Sequence, residues 1–266
     1  MVKSQKSRPS SEQMPFHPEL GPRLGRGQDN VVFSMIQDGD KAGVHTSTGT
    51  VLKINHRTSA DHRVRDPDER EATWRGLLYK KNKYELLKLF LGDFVPDTSF
   101  VMGKVTEGDG PRYAEYTVQE EVPRISLNNL SPKQRQDPRL LAGVTGLMGR
   151  LQYMYRVLGE VNARTANGIN LDGKLDLGGV SSYVQAESLD HRFDESDAQT
   201  VINENKSPNL LINPDSMQLY CIDFDQGQWP DGANEAKALV EKIVQRDRAV
   251  VAFGHVAVDE AQGQLF

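Results

Sequence analysis

The sequence predicts an α+β chain. A small, mostly antiparallel sheet with one main helix fills the first half, and a short, mainly helical region follows. Three observations carry this prediction. β-branched and apolar runs at 31–36 and 49–55 flank turn residues at 37–43, with Asp38-Gly39 in the connection, which is a hairpin signal. Apolar residues at Trp74, Leu77, Leu78, Tyr84, Leu86, Leu87, Phe90 and Leu91 recur at helical spacing and stop at Gly92. Leu140, Leu141, Val144, Leu147, Met148, Leu151, Met154 and Tyr155 line one face of a second helical stretch at 131–166.

Taken in order, residues 1–18 are polar and rich in Ser, Lys and Pro, and read as a solvated tail. A strand leads into Gly25, and the hairpin follows. Pro67 suits the first position of a helix, with Asp66 as its cap and Asp68, Glu69 and Glu71 in the first turn. One long helix or two shorter ones fit the spacing up to Leu91. Strands at 99–105 and 113–122 flank Gly108-Asp109-Gly110, which makes 22–122 β-β-β-α-β-β. Pro123 breaks the pattern. Residues 167–200 are rich in Gly, Asp and Ser and receive no assignment. A short strand pair, 209–212 and 219–222, surrounds Asn213-Pro214-Asp215-Ser216, and a last helix is expected at 233–251.

Composition excludes several functions. The chain has 266 residues, with 32 Lys plus Arg against 37 Asp plus Glu, so it lacks the basic excess of a general nucleic-acid binder. Mean hydropathy is −0.57. No apolar run approaches the roughly 18 residues of a membrane span. The N-terminal residues include no apolar core of a secretory signal. Cys221 is the single cysteine, which excludes an internal disulfide. The six histidines are scattered without His-x-x-x-His spacing, so no zinc site is expected. The expectation is a soluble cytoplasmic protein.

Four features carry chemistry, and each has an ordinary structural reading beside it. Gly25-Arg26-Gly27 precedes Asn30-Val31-Val32-Phe33; glycines let backbone N–H groups approach phosphate oxygens, although Gly-x-Gly alone reads as a turn. A strand follows it rather than a helix, unlike a Rossmann site. Val51-Leu52-Lys53 puts an ammonium on a strand, where a strand-edge lysine is the simpler reading. Asn209 follows Glu204-Asn205-Lys206-Ser207-Pro208, and Asp223-Phe224-Asp225 comes fourteen residues later. An Asn amide oxygen and an Asp carboxylate at one end of a hairpin are hard ligands suited to Mg2+. By itself Asp223 reads as an Asx-turn residue.

In this order the four features resemble the protein-kinase-like superfamily over roughly residues 22–229. Gly25, Gly27 and Val32 match its Gly-x-Gly-x-x-Gly-x-Val loop, with Asn30 at the third glycine. The resemblance implies a two-lobed fold, with a disordered tail at 1–18, an N-lobe at 19–123 and a C-lobe at 124–266. It implies ATP and Mg2+ as cofactors. Val32 would pack on the adenine and Lys53 would hold the phosphates. A helix carboxylate, Glu85 in preference to Glu71, would steady Lys53. Glu120, Glu121 and Val122 would lie near the adenine edge and serve it through their backbone. Asn209 and Asp223 would bind the metal, and Lys206 would contact the γ-phosphate.

The departures bear on activity. Five residues before Asn209, where the family's catalytic loop has Asp, stands Glu204. His191-Arg192-Phe193-Asp194 imitates His-Arg-Asp in composition, but Asp194 lies fifteen residues before Asn209. Only 41 residues follow Asp225, and no Ala-Pro-Glu occurs. The resemblance therefore implies a compact, atypical phosphotransferase that acts on a hydroxyl acceptor, either a small molecule or a protein. The alternative is a nucleotide-binding or inactive pseudokinase that serves as an interaction module. A third option is an unrelated β-rich binding module over 22–122, with no nucleotide affinity. Cys221 reads as a buried, inert thiol and Trp229 as a packing aromatic.

Overall fold

The computed structural model describes residues 20–26, 30–35, 39–41, 44–46, 49–55, 67–106, 111–122, 125–165, 169, 177, 179–204, 209–222 and 233–263. The chain is α+β and divides into two compact units. Residues 1–81 and 97–121 form the first unit, and 82–96 with 122–266 form the second. Residues 82–96, inside the expected N-lobe range, thus cluster with the second unit.

The first unit is built on a five-stranded antiparallel sheet. Its strands are β1 (Leu20–Arg26), β2 (Asn30–Met35), β5 (Thr50–Asn55), β6 (Thr98–Thr106) and β7 (Pro111–Glu120). Their spatial order is β1-β2-β5-β7-β6. The expected hairpin arms β2 and β5 pair directly. Their connection, expected to be turn alone, carries a two-stranded ribbon of its own, β3 (Gly39–Lys41) and β4 (Val44–Thr46). Fourteen residues separate the two arms, more than a tight turn needs, and two short extended pieces among them satisfy their backbone groups by pairing with each other. Gly49 re-enters β5 at φ +98°, a conformation that glycine adopts without a steric penalty.

Alternation divides the sheet's faces. Phe33, Leu52 and Val118 lie opposite one another on neighbouring strands and therefore share a face. Leu52 and Val118 are buried there with Tyr116, and Met35 and Val101 pack against them.

Helix α1 (Pro67–Leu91) is one unbroken helix of 25 residues, which resolves the choice left open by its spacing. Leu86, Leu87, Phe90 and Leu91 are buried at i, i+1, i+4 and i+5, the stripe the sequence spacing predicts. Its C-terminal carbonyls lack intrahelical partners, and Arg248 Nη2 donates to Leu89 O at 3.1 Å. Gly92 ends the helix at φ +58° and opens a short 3₁₀ turn, Gly92–Phe94.

The second unit surrounds one long helix. The expected helix at 131–166 is two helices: α2 (Pro132–Arg135) and α3 (Pro138–Asn162). Pro138 causes the break, because proline disfavours helical geometry at the residue before it. Asp137 accordingly adopts ψ 123° and accepts from Arg139 N. Ser131 and Gln134 form a reciprocal capping box on α2. Val144, Leu147, Met148, Leu151, Met154 and Val161 of α3 are fully buried. Around α3 pack α4 (Gly179–Ala186), α5 (Glu195–Glu204) and α6 (Ala233–Gly263). Tyr153 donates to Asp247 Oδ2 at 3.0 Å and so pins α3 to α6. Strand β8 (Ile125–Ser126) joins the hairpin β9 (Leu210–Ile212) and β10 (Leu219–Cys221) in the order β10-β9-β8. Among the described residues no helix is long and apolar enough to cross a membrane.

Gly92 supplies a test of how α1 stops. A Cβ built there would lie 2.5 Å from Arg150 Nη1, but that is the end of a flexible side chain. The left-handed backbone is the larger cost, about 1–2 kcal/mol for an ordinary residue. Gly92→Ala is expected to lower Tm by about 2–8 °C, at about 2–4 °C per kcal/mol. Gly92→Asn should lose less, because Asn tolerates this region. Equal losses in calorimetry would contradict backbone strain as the cause.

Candidate functional site

The first sheet brings several expected contact residues into line. In register, Gly25 lies opposite Val32, Val32 opposite Lys53, and Lys53 opposite Thr117. Residues directly opposite in a ladder project on the same side, so Val32, Lys53 and Thr117 share one face. It is the face away from the Leu52–Tyr116–Val118 core. Around Lys53 this face is mixed and largely covered: Val51, Thr117 and Gln119 are buried, Val32 is half-buried, and Gln119 Nε2 donates to Thr98 Oγ1 at 3.0 Å. Lys53 itself is half-buried.

The strand that carries Lys53 is central, between the strand that follows the glycine turn and the strand that runs to Glu120. Glu120 N donates to Asp97 O at 2.8 Å, and Glu121 N donates to Gly49 O. Both side chains are exposed. Gly25 ends on β1 and Asn30 begins β2. Gly27 lies outside the described residues.

The two candidate helix carboxylates separate. Glu71 stands on the part of α1 that belongs to the sheet unit, and Glu85 on the part that belongs to the second unit. Within that unit Lys237 of α6 donates from Nζ to Glu85 Oε2, and to Asn82 Oδ1 at 3.1 Å. The Lys237 ammonium is largely enclosed and Glu85 is partly exposed. Sequence reasoning missed Lys237, because 152 residues separate the pair and neither residue sits in a motif.

In the second unit the hairpin β9–β10 bears on one of the two expected metal ligands, Asn209. Leu210 pairs with Cys221, and one step further Ile222 N donates to Asn209 O at 3.0 Å. The ladder thus reaches Asn209 on one strand and the residue before Asp223 on the other. The far end turns on Asn213, whose Oδ1 accepts from Asp215 N at 3.0 Å and Ser216 N at 3.3 Å. Asp223 and Lys206 lie outside the described residues. Glu204 is the last residue of α5 and is exposed.

The imitation of His-Arg-Asp has a structural task. Asp194 Oδ1 accepts from Ser196 N at 2.8 Å and Asp197 N at 3.1 Å, and so caps α5. That capping pattern, Asp followed by Glu195 and a helical run, was the available signal.

For nucleotide and metal, the donor chemistry fits in kind. An ammonium opposite Thr117 suits phosphate. An Asn at the end of a ladder, next to the position that precedes an Asp, suits a hard cation. No family model and no curated protein matches the sequence.

Cys221, on β10 beside this ladder end, is fully buried, and burial pushes its thiol up to about 12. Little thiolate exists near neutral pH, and the thiolate is the reactive form. In native protein at about pH 8, where a free thiol with a pKa of about 8.5 reacts readily, Cys221 is expected to resist an aromatic disulfide reagent and to react fully in urea. Rapid stoichiometric reaction without denaturant would refute the burial.

Proposed function

We propose that the chain is an ATP- and Mg2+-dependent phosphotransferase of compact, two-lobed, protein-kinase-like fold, which moves the γ-phosphate to a hydroxyl on a small molecule or protein. The observation that carries this reading is the register Val32–Lys53–Thr117 on the central strands of the first sheet. It gathers an apolar contact and a cation on one face, next to the strand that follows the glycine turn. The sequence resemblance assigned those roles to these residues without any knowledge of the pairing.

In this reading the turn after Gly25 offers backbone N–H groups to phosphate oxygens, Val32 covers the base, and Lys53 neutralises the α/β-phosphates. Asn209 and Asp223 hold Mg2+, which when bound offsets phosphate charge. Lys206 steadies the γ-phosphate, and Glu204 orients the acceptor hydroxyl or takes its proton. A carboxylate of α1, Glu85 in preference to Glu71, steadies Lys53. The amides of Glu120 and Glu121 are already bonded within the sheet unit, so an adenine edge is met by other backbone groups. Catalysis of this kind rests on positioning and charge, not on covalent chemistry.

One observation favours the pseudokinase alternative. Glu204 closes the last turn of α5, and its carboxylate sits one methylene further out than an Asp would. A misplacement near 1 Å costs about a hundredfold in rate. That loss would spare nucleotide binding.

Thermal unfolding with and without ATP and Mg2+ separates the readings. Ligand at about a hundred times Kd adds about 2.7 kcal/mol, or about 5–10 °C in a chain of this size. The expected result is a shift that needs Mg2+, is lost in Asp223→Ala and is reduced in Lys53→Ala, together with phosphoryl transfer to an acceptor. A shift without transfer would establish the pseudokinase. No shift for the wild type would remove the nucleotide from the proposal.

A further inference from the structure

One imidazole lies among acidic groups where α4 passes to α5. His191 Nε2 is 3.0 Å from Asp197 Oδ2, and its Nδ1 is 3.7 Å from Glu187 Oε2. Tyr183 donates its hydroxyl to the other Asp197 oxygen at 2.7 Å, and Asp194 N donates to Asp197 Oδ2 at 2.9 Å. The Phe193 ring meets the imidazole edge-on, with centroids 4.9 Å apart. From α3, Gln152 Nε2 donates to the carbonyls of Ser188 at 3.0 Å and His191 at 3.1 Å, and Thr145 Oγ1 donates to Asp194 O at 3.3 Å. The charged groups facing the ring are therefore Glu187 at the end of α4, Asp194 in the connection and Asp197 on α5. The contacts from α3 are made by neutral groups.

We propose that His191, when protonated, is a pH-dependent clasp that fastens the end of α4 to the first turn of α5, and that the clasp loosens when the ring loses its proton. A neutral imidazole has one N–H and can serve one carboxylate, whereas the cation donates from both nitrogens. Loss of the proton therefore turns Nδ1 into an acceptor facing Glu187, and leaves three carboxylates without a cation between them.

The titration follows the same geometry. The Asp197 hydrogen bond raises the ring's pKa above the ordinary histidine value, partial burial opposes this, and the charges of Asp197, Glu187 and Asp194 add to the rise. A group whose pKa is raised on folding contributes fully below its unfolded value, about 6.5, and loses that contribution as pH rises through the folded value. Burial pushes Asp197 upward, but hydrogen bonds from Tyr183, the Asp194 amide and His191 outweigh it and hold the carboxyl below its usual range. Its contribution is lost only as pH falls through that lowered value. The clasp is thus closed over a window bounded below by Asp197 and above by His191.

The location gives the clasp a target. Helix α5 starts at this cluster and ends at Glu204, five residues before Asn209. Loosening its first turn frees the helix that carries Glu204.

The test uses the full chain and needs no ligand. The His191 ring is titrated by heteronuclear NMR in wild type and in Glu187→Gln. Amide exchange of α5 and Tm are then compared between wild type and His191→Gln at about pH 6 and about pH 9, on either side of the ordinary histidine value. The expected results are a ring pKa above the free-histidine value that falls in Glu187→Gln, and a wild-type advantage in Tm and in α5 protection that is present at the lower pH and narrows at the higher. A ring that titrates at or below the free-histidine value, or an advantage equal at both pH values, would overturn the clasp. If His191→Gln does not fold, Glu187→Gln keeps the Asp197 contact, and the same two titrations decide the matter.

Discussion

The register of β5 is the constraint on which the first unit depends. Side chains in a strand alternate between faces with a period of two, so one pairing decides the fate of every residue on it. With Leu52 opposite Phe33 and Val118, the apolar residues of three strands meet in one core. The same pairing necessarily puts Lys53 opposite Val32 and Thr117 on the other side. A slip of one residue would bury the ammonium in the core cluster and take Leu52 out of it. An unpaired charge in such a place costs several kcal/mol. The core and the face that carries Lys53 are therefore one decision. Thr117 and Gln119 on β7 follow the same alternation, and Gln119 satisfies its buried amide on Thr98.

Helix α1 poses a different constraint, since its two halves belong to different units. Its second half is anchored repeatedly: Leu86, Leu87, Phe90 and Leu91 are buried, Arg248 bonds the Leu89 carbonyl, and Lys237 holds Glu85 and Asn82. Removing Lys237 would leave Glu85 partly exposed to water, so the ion pair's contribution is modest beside that of the buried leucines. Its consequence is chiefly positional. It fastens the second half of α1 to α6 within their own unit.

What was legible in the sequence was whatever a local pattern dictates. The hairpin arms, the helix stopping at Gly92, the strands around 108–110 and the pair around Asn213-Pro214-Asp215-Ser216 all follow from period and turn chemistry within about a dozen residues. The break at Asp137-Pro138 carried a local signal too, but the apolar face of α3 continues so regularly that periodicity alone ran through it. The residues 167–200 hold two helices, α4 and α5, of only eight and ten residues. Helices that short show too few apolar repeats to stand out among Gly, Asp and Ser, and their stability comes from packing on α3. Pairings made across long separations, Lys237 with Glu85 or Asp247 with Tyr153, leave no trace in any window. The site was legible as a list of residue types in order; the face that Lys53 shares with Val32 needed the register.

Asp194 and Glu204 stand at the two ends of α5. His-Arg-Phe-Asp contains the letters of a catalytic loop, yet Asp194 spends its carboxylate on two amide hydrogens at the start of α5, and His191 is taken up by Asp197 and Glu187. A carboxylate with two backbone donors is committed to structure, because freeing it would leave those amides unpaired. Glu204, at the opposite end of the same helix, is exposed and stands where helical carbonyls end. The C-terminal end of a helix carries partial negative charge, which disfavours a carboxylate. The same helix thus holds one acid by two amide hydrogen bonds at its start and carries the other with an exposed side chain at its end.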